Sequence, residues 1–567
     1  MESNNLMAKE VDLLVLGAGA AGMSAALSGS FHKLNVLLCE KSKQVGGTTS
    51  TSAGTLWIPE NSQNIKAGYT GDSKSAARVY LENLISDPAH GKKVREQFLE
   101  QGPNIIDWFE KNTEVKFFPC GNYPDYLDLD GAAVSGRAII PQPFDGRLLG
   151  KNFSRVRAPI SEYMIFSGMM VGKADIPYLV NRFKSITNFL YAGRLFLRYL
   201  TDRLFYPRGT RLTLGNALVA RLYQSLILKK VEILFETQLE ELIVEDGKIV
   251  GAIVLCGSGK KKIYASRGII LATGGFGHNK TLRKSFMSVN VTESMAVPEN
   301  LGEGIVAAQR IGALVCPDKH GTGAFWTPVS KTGGSGWAGL YPHLALDRAK
   351  PGLIAVNGSG VRFVNEAASY HHFVLAMLES HKNGPSTPTW LICEASFIYK
   401  YGLGAIHPGT HNLYPYVDKK WLFIGHSLKH LAEQIGLGTH NLEETVERHN
   451  QFSMTGIDLD FAKGSTNLNR YNGDPTHKPN PCIGEIKKGP FCAMAVWPAE
   501  LGTSTGLESD EFGRVLNQNG APLPGLYVCG NDMSSIMQGS YPGPGTTLGP
   551  ALVFGYLSAK HAADLNS

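Results

Sequence analysis

The stretch "VDLLVLGAGAAGMSAALSGS" (Val11–Ser30) decides the fold. Val11–Leu16 is a short apolar run of strand length. It is followed at once by Gly17, Gly19 and Gly22 in G-x-G-x-x-G spacing, and then by residues that favour a helix. A second apolar run, "NVLLCE", ends at Glu40, 18 residues past Gly22. Glycine-rich turns alone are common, but a strand before them, a helix after them and an acid at the end of the next strand together specify a dinucleotide site. Gly17 allows the turn, Gly19 lets a pyrophosphate approach the backbone, and Gly22 lets helix lie on strand. The helix opens at Ala20 and Ala21, where unpaired N–H groups and a partial positive charge suit phosphate. Glu40 accepts from ribose hydroxyls, and Lys41 stands beside it as a further candidate contact.

Working outward, three more segments deliver backbone to a ligand. "GGTTSTSAGTLWIP" follows Glu40 closely and offers Gly46, Gly47, Thr48 and Thr49 to a continuing pyrophosphate. "RGIILATGG" reads as a strand closing at Gly274 and Gly275, and "PGLYVCGND" as another closing at Gly530, Asn531 and Asp532. A cofactor touched by both ends of a long chain fits FAD better than NAD. Between the strand sets, Gly215–Val254 reads as helix, strand, strand, turn, strand, with "EDGK" as the hairpin turn.

At 567 residues the chain is too long for one ordinary core. Its 64 glycines cluster in loops and do not repeat, which suits close approach of backbone to ligand. The fold class expected is α/β: a Rossmann-like FAD-binding domain formed by both chain ends (1–284 and 489–567), with an inserted α+β catalytic domain at 285–488. The net charge of +6 is mild and no Lys/Arg run is dense enough for nucleic acid. Eight scattered cysteines show no metal-ligand or disulfide pattern, so no metal is expected. "MESNNLMAKE" lacks the features of a signal peptide and no apolar run is clean enough to span a bilayer, giving a cytoplasmic expectation.

The order of these nucleotide segments resembles the fumarate reductase/succinate dehydrogenase flavoprotein superfamily. Dicarboxylate chemistry is disfavoured, because the loop before the last helix, "GSYPGPGTTLGP", has neither Arg nor His, and "LDFAKGST" offers Lys463 but no arginine. Without cationic forks a dianion loses its charge-assisted pairs. Three tyrosine segments instead resemble 3-ketosteroid Δ1-dehydrogenases: Tyr126 in "NYPDYLDLDG", Tyr370 in "RFVNEAASYHHFVLAML", and Tyr541 with Gly545 in "YPGPGTTLGP". Leu127 departs from the second tyrosine of that family's pair, and "EAAS" from its "ESxP". The resemblance implies a 3-ketosteroid substrate. Tyr541 O–H and Gly545 N–H would hold the C3 carbonyl, Tyr370 would take the C2 proton with help from Tyr126, and the C1 hydride would go to flavin N5. Thr547 and Leu548, where the final helix begins, are further cofactor candidates; that helix is expected over 546–564.

Competing readings are a Δ4(5α)-type or other flavin enzyme acting on a non-steroid cyclic ketone, and a flavoprotein subunit without catalysis. No second nucleotide motif argues for NAD(P)H, which leaves a quinone or a protein as electron acceptor. His371 and His372 read as surface or cleft-lining residues, and Asn365 and Glu366 as helix caps in preference to groups that order the active site. Asn188–Arg211 interleaves aromatics and leucines with Arg194, Arg198 and Arg203. Packing against the FAD domain is the expectation there, with weak membrane-surface association as the alternative.

Overall fold

A computed structural model describes residues 8–565 except 167, 173, 258, 319–320, 334–338, 345–346 and 383–387. The run that opened the sequence reading becomes strand Ala8–Leu16, central in an eight-stranded sheet. It pairs in parallel with Val36–Cys39 on one side and Gly259–Leu271 on the other. Glu232–Leu234 extends the first side, and Pro522–Val528 joins Gly259–Leu271 in parallel from the far end of the chain. Register decides where the ligand goes. Leu16 lies opposite both Cys39 and Leu271, and Leu271 lies opposite Val528, so these strands end level. Gly17, Glu40, Ala272 and Cys529 therefore leave the sheet along one carboxyl edge, the usual ligand side of an open α/β sheet.

Helix Ala20–Phe31 packs against the last helix, Leu548–Asp564. Ser24 Oγ donates to the Leu552 carbonyl at 2.6 Å, and a Cβ on Gly555 would stand 2.5 Å from the Ala21 carbonyl. Only glycine allows that crossing. The last helix starts at Leu548, with Thr547 as its cap residue, two residues later than expected because Pro544–Thr547 form a turn.

The second sheet has seven strands and is mostly antiparallel. Its axis is the long strand Phe491–Thr503, flanked by Ala324–Lys331 and Thr389–Glu394, with Leu340–Pro342 and Leu353–Val356 outside them. Phe491–Thr503, which the sequence reading gave to the returning FAD portion, is thus hydrogen-bonded within the inserted unit. We propose drawing the return of the chain after Thr503. Among the described residues no helix is long and apolar enough to cross a membrane.

Candidate active site

One cavity of about 820 Å³ runs from the carboxyl edge of the first sheet to the second sheet. Its dinucleotide end is lined by Gly17, Gly19, Ala20, Ala21, Glu40, Lys41, Gly47, Thr48, Thr49, Gly274, Gly530, Asn531, Thr547 and Leu548. Gly22, Gly46 and Gly275, also expected at the cofactor, lie behind this lining and shape it. A Cβ on Gly22 would sit 1.8 Å from the Gly17 carbonyl oxygen, and one on Gly275 would sit 2.1 Å from Thr503 Oγ1. The residues fit FAD. Helix Ala20–Phe31 has Gly19 as its N-cap, which offers no capping side chain, and although the Ala20 N–H donates to Thr49 Oγ1 at 3.3 Å, this helix start at the cavity wall suits a phosphate. The Glu40 carboxylate is oriented by the Ala18 and Ser42 N–H groups, each at 2.8 Å. Burial raises its pKa, and those two donors oppose the rise.

The sequence reading placed Asp532 at the end of its strand but did not foresee that its side chain ties this edge together. Asp532 accepts from the N–H groups of Thr273 (2.5 Å) and Gly275 (2.9 Å) and from the Thr273 hydroxyl, locking two loops more than 250 residues apart in sequence. The only signal was its position two residues after the strand-ending Gly530.

At the other end the three tyrosines converge. Tyr126 O–H donates to Tyr370 Oη at 3.1 Å, and Tyr370 O–H to Tyr541 Oη at 2.8 Å. The Tyr126 and Tyr541 rings stack at 5.5 Å between centroids, and Tyr370 meets both edge-on. Local structure sets each one. Tyr126 N–H and Tyr80 O–H both donate to the Pro542 carbonyl, at 2.9 and 2.8 Å, fastening the Tyr126 loop to the Tyr541 loop. Buried Asp125 anchors the same loop through Trp57 Nε1, the Ala133 N–H and Arg137. Tyr370 opens helix Tyr370–Lys382, where Ser369 Oγ accepts from the His372 N–H. Gly545 has φ +97°, and a Cβ there would lie 2.5 Å from the Thr55 carbonyl, so the "GPG" turn presses directly on the strand behind it. The Gly545 N–H makes no hydrogen bond to another described residue and belongs to the cavity wall.

Two expectations change here. His371 is buried, its Nδ1 accepting from the Trp326 N–H and its ring 5.4 Å from that of Tyr541. Glu366 does not cap a helix. It is a buried carboxylate bound twice by Arg362 at 2.9 Å and lying 3.3 Å from Lys463 Nζ, which its neighbouring cations hold well below the usual carboxylate range. Lys463, noted in the sequence only as a lysine in a segment that lacks an arginine proton donor, is spent on this ion pair and on the Leu353 carbonyl.

Electrostatics sharpen the picture. Burial pushes Tyr541 up to about 12 and raises Tyr126 and Tyr370 well above the ordinary phenol value, and charge on any one would repel charge on the others. Behind them sits Arg348, absent from the sequence reading. Its guanidinium donates to the carbonyls of His343, Leu344, Glu366 and Ala368, bracing the segment that leads into Tyr370. Burial lowers its pKa to about 10, while Asp347, Glu366 and the Tyr126 and Tyr370 phenols oppose the drop. Among the described residues, the Lys and Arg side chains that line the cavity are all matched. Lys41 is paired with Glu303, Arg157 with Glu299 at 2.9 Å, and Arg211 with Asp175 through two bonds at 2.9 and 3.0 Å. Outside the cavity lining, His90 Nε2 meets Cys316 Sγ at 3.5 Å and Glu508 Oε1 at 3.3 Å, a juxtaposition the sequence reading, which expected no metal, did not anticipate.

A dinucleotide edge continuous with a phenol-lined cavity defines an FAD-dependent oxidoreductase. Residues 12–548 match the FAD binding domain family. The chain is 34% identical to a 3-oxosteroid 1-dehydrogenase of Mycolicibacterium smegmatis over 98% of this chain and 97% of that protein. It is 35% identical to a 4-oxocyclohex-2-ene-1-carboxylate 5-dehydrogenase of Sinomonas cyclohexanicum, over 98% and 94%. The crystal structure of 3-ketosteroid Δ1-dehydrogenase from Sterolibacterium denitrificans in complex with 1,4-androstadiene-3,17-dione superposes with a TM-score of 0.89 at 34% identity, covering 98% of this chain and 99% of that one. The chain belongs to the FAD-binding flavoprotein family and, within it, to the family of 3-oxosteroid 1-dehydrogenases.

Proposed function

We propose that the protein removes the C1 and C2 hydrogens of 3-ketosteroids, with Tyr370 as base, Tyr126 as its hydrogen-bond partner, and Tyr541 and Gly545 as carbonyl donors. The observation that carries this reading is the chain of three phenols at 3.1 and 2.8 Å, set in a cavity whose described cations are all already paired. A neutral ketone suits such a wall. A small keto acid, the kind of substrate named for the Sinomonas relative, would bring a carboxylate with no free cation among the described residues to receive it.

FAD, when bound between the glycine edge and the Thr547–Leu548 turn, supplies the hydride acceptor for C1. The residues of the chain handle the proton. Tyr541 O–H and Gly545 N–H donate to the ketone oxygen, and their hold strengthens as charge grows on that oxygen during loss of the C2 proton. The N-terminus of helix Leu548–Asp564 adds a favourable field for negative charge. Tyr370, as phenolate, accepts the C2 proton at Oη. Tyr126 O–H donates to that oxygen and so favours its charged form, and the buried Arg348 guanidinium acts in the same direction.

The test is anaerobic mixing of the holoenzyme with androst-4-ene-3,17-dione. The expected result is bleaching of the flavin and formation of a 1,4-diene-3-one. 4-Oxocyclohexanecarboxylate should bleach it far more slowly. Bleaching by the keto acid alone, or a product unsaturated elsewhere in the ring, would overturn the assignment.

A further inference from the structure

Helix Ile186–Arg203 carries its apolar stripe on the wrong side for a packed helix. Ile186, Phe189, Leu190, Leu197 and Leu200 follow helical spacing along one face, and all are exposed. Just beyond its ends Phe183, Leu204 and Phe205 are 79%, 76% and 82% exposed. Only Tyr199 and Asp202 of the helix are buried, so the packing expected for this segment is not what the structure has. The opposite face is tied down by polar groups. Tyr191 O–H donates to Asp175 at 2.5 Å, Tyr199 O–H to the Phe166 carbonyl at 2.6 Å, and Asp202 holds Arg147 and the Thr210 N–H. The segment is therefore a fixed element with a bare apolar face.

Charge selects the occupant. Residues 164–208 contain seven Lys or Arg and two Asp, a net +5 within a chain of net +6, and both Asp are buried in ion pairs. Arg182, Lys184, Arg194 and Arg203 are exposed around the stripe. A twofold contact with a second copy would set this charge against itself. An anionic bilayer complements both features, since basic amphipathic helices lie at the headgroup–acyl boundary. The position has a use as well. Tyr163 and Arg211, which flank the same segment, and Ile176 within it line the cavity.

We propose that this face seats on an anionic lipid surface and brings the cavity wall at Tyr163 and Ile176 beside the membrane, so that a water-insoluble ketone passes from lipid into the site. The delivery role rests on the steroid reading above, whereas the seating does not. Holoenzyme is mixed without steroid with vesicles of phosphatidylcholine, alone or with phosphatidylglycerol, and sedimented at low and high salt. Binding is expected to the anionic vesicles, weakened by salt. It should fall at least tenfold in Phe183→Asp/Leu204→Asp/Phe205→Asp, a variant that keeps its FAD and its turnover of dissolved substrate. Arg194→Gln should lower binding about fivefold. Absence of binding to both vesicle types would overturn the proposal, as would concentration-dependent self-association abolished by the triple variant. Because no substrate is present, these outcomes are independent of whether steroid bleaches the flavin.

Discussion

The two ends of the cavity are built by different means. The dinucleotide end is backbone: level strand ends, a helix N-terminus, and glycines whose Cβ atoms would strike the neighbouring carbonyl. The phenol end is side chain: three tyrosines from segments 244 and 171 residues apart, held by hydrogen bonds to one another. Backbone sites tolerate sequence change wherever shape survives. A side-chain site loses its chemistry with a single oxygen. The comparison predicts that chemistry and cofactor retention can be separated by mutation.

The strongest separation is Tyr370→Phe. Losing a positioned general base costs about 10²–10⁴-fold. Flavin reduction by the steroid should fall by about that factor while the purified protein stays yellow, because residue 370 is not part of the dinucleotide lining. A variant that bleaches at the normal rate would remove Tyr370 from the mechanism, and one that loses FAD would show that the two ends are not independent. Tyr541→Phe should cost slightly less, about 10²–10³-fold, the usual loss for one donor of an oxyanion site. Gly545→Ala makes a useful companion. Its methyl group would collide with the Thr55 carbonyl, so it should displace the loop and lower thermal stability as well as rate, whereas Tyr541→Phe should leave stability nearly unchanged.

How much of this was readable follows the same division. Gly17, Gly19, Gly22 and Glu40 announced the first sheet because the backbone geometry of a phosphate turn allows few residue types. Tyr126, Tyr370 and Tyr541 came to notice only through their flanking sequence, since a lone tyrosine among 21 carries no signal of its own. The roles of the Asp532 and Arg348 side chains stayed hidden because their work is tertiary. Asp532 holds loops remote in sequence, Arg348 binds carbonyls on two separate turns 4 to 20 residues away, and no local pattern marks such a partner. The same applies to Phe491–Thr503, whose apolar composition suits either sheet and whose membership is decided only by pairing. The reversed stripe of Ile186–Arg203 was visible as periodicity. Which face would turn outward depended on the anchors Asp145, Asp175 and Arg147, which lie outside the helix.

A smaller and graded effect distinguishes the phenol end by pH. Tyr370 has its pKa raised well above 10 by burial, so below that pH it is protonated and only a small fraction can act as base. The ionised fraction grows as pH rises. Under saturating steroid the reduction rate should climb about tenfold per pH unit from neutrality towards pH 10, without a plateau. Tyr541, pushed up to about 12, stays a donor throughout that range, so no falling limb should interrupt the climb. A bell centred near neutrality would assign the base to another group. In Tyr126→Phe the slope should persist while the whole line drops, since a donor that favours the Tyr370 phenolate has been removed.

The mildest test lies at the backbone end. Glu40 receives two backbone N–H groups, one on each oxygen, and faces the cavity. Glu40→Gln keeps the shape but turns an amide NH₂ towards either Ala18 or Ser42, and it removes the charge that strengthens bonds from ribose hydroxyls. Such charge-assisted bonds are worth about 1.5–3 kcal/mol, so losing part of one should weaken FAD binding about tenfold. Once flavin is supplied in excess, the reduction rate should return to normal, because nothing at the tyrosines has changed. Titration of the apoprotein with FAD, followed by single-turnover reduction at saturation, reads the two effects separately. A persistent rate defect at full occupancy would mean that the dinucleotide edge also sets the geometry of the reacting end, and the division between backbone and side-chain function would have to be redrawn.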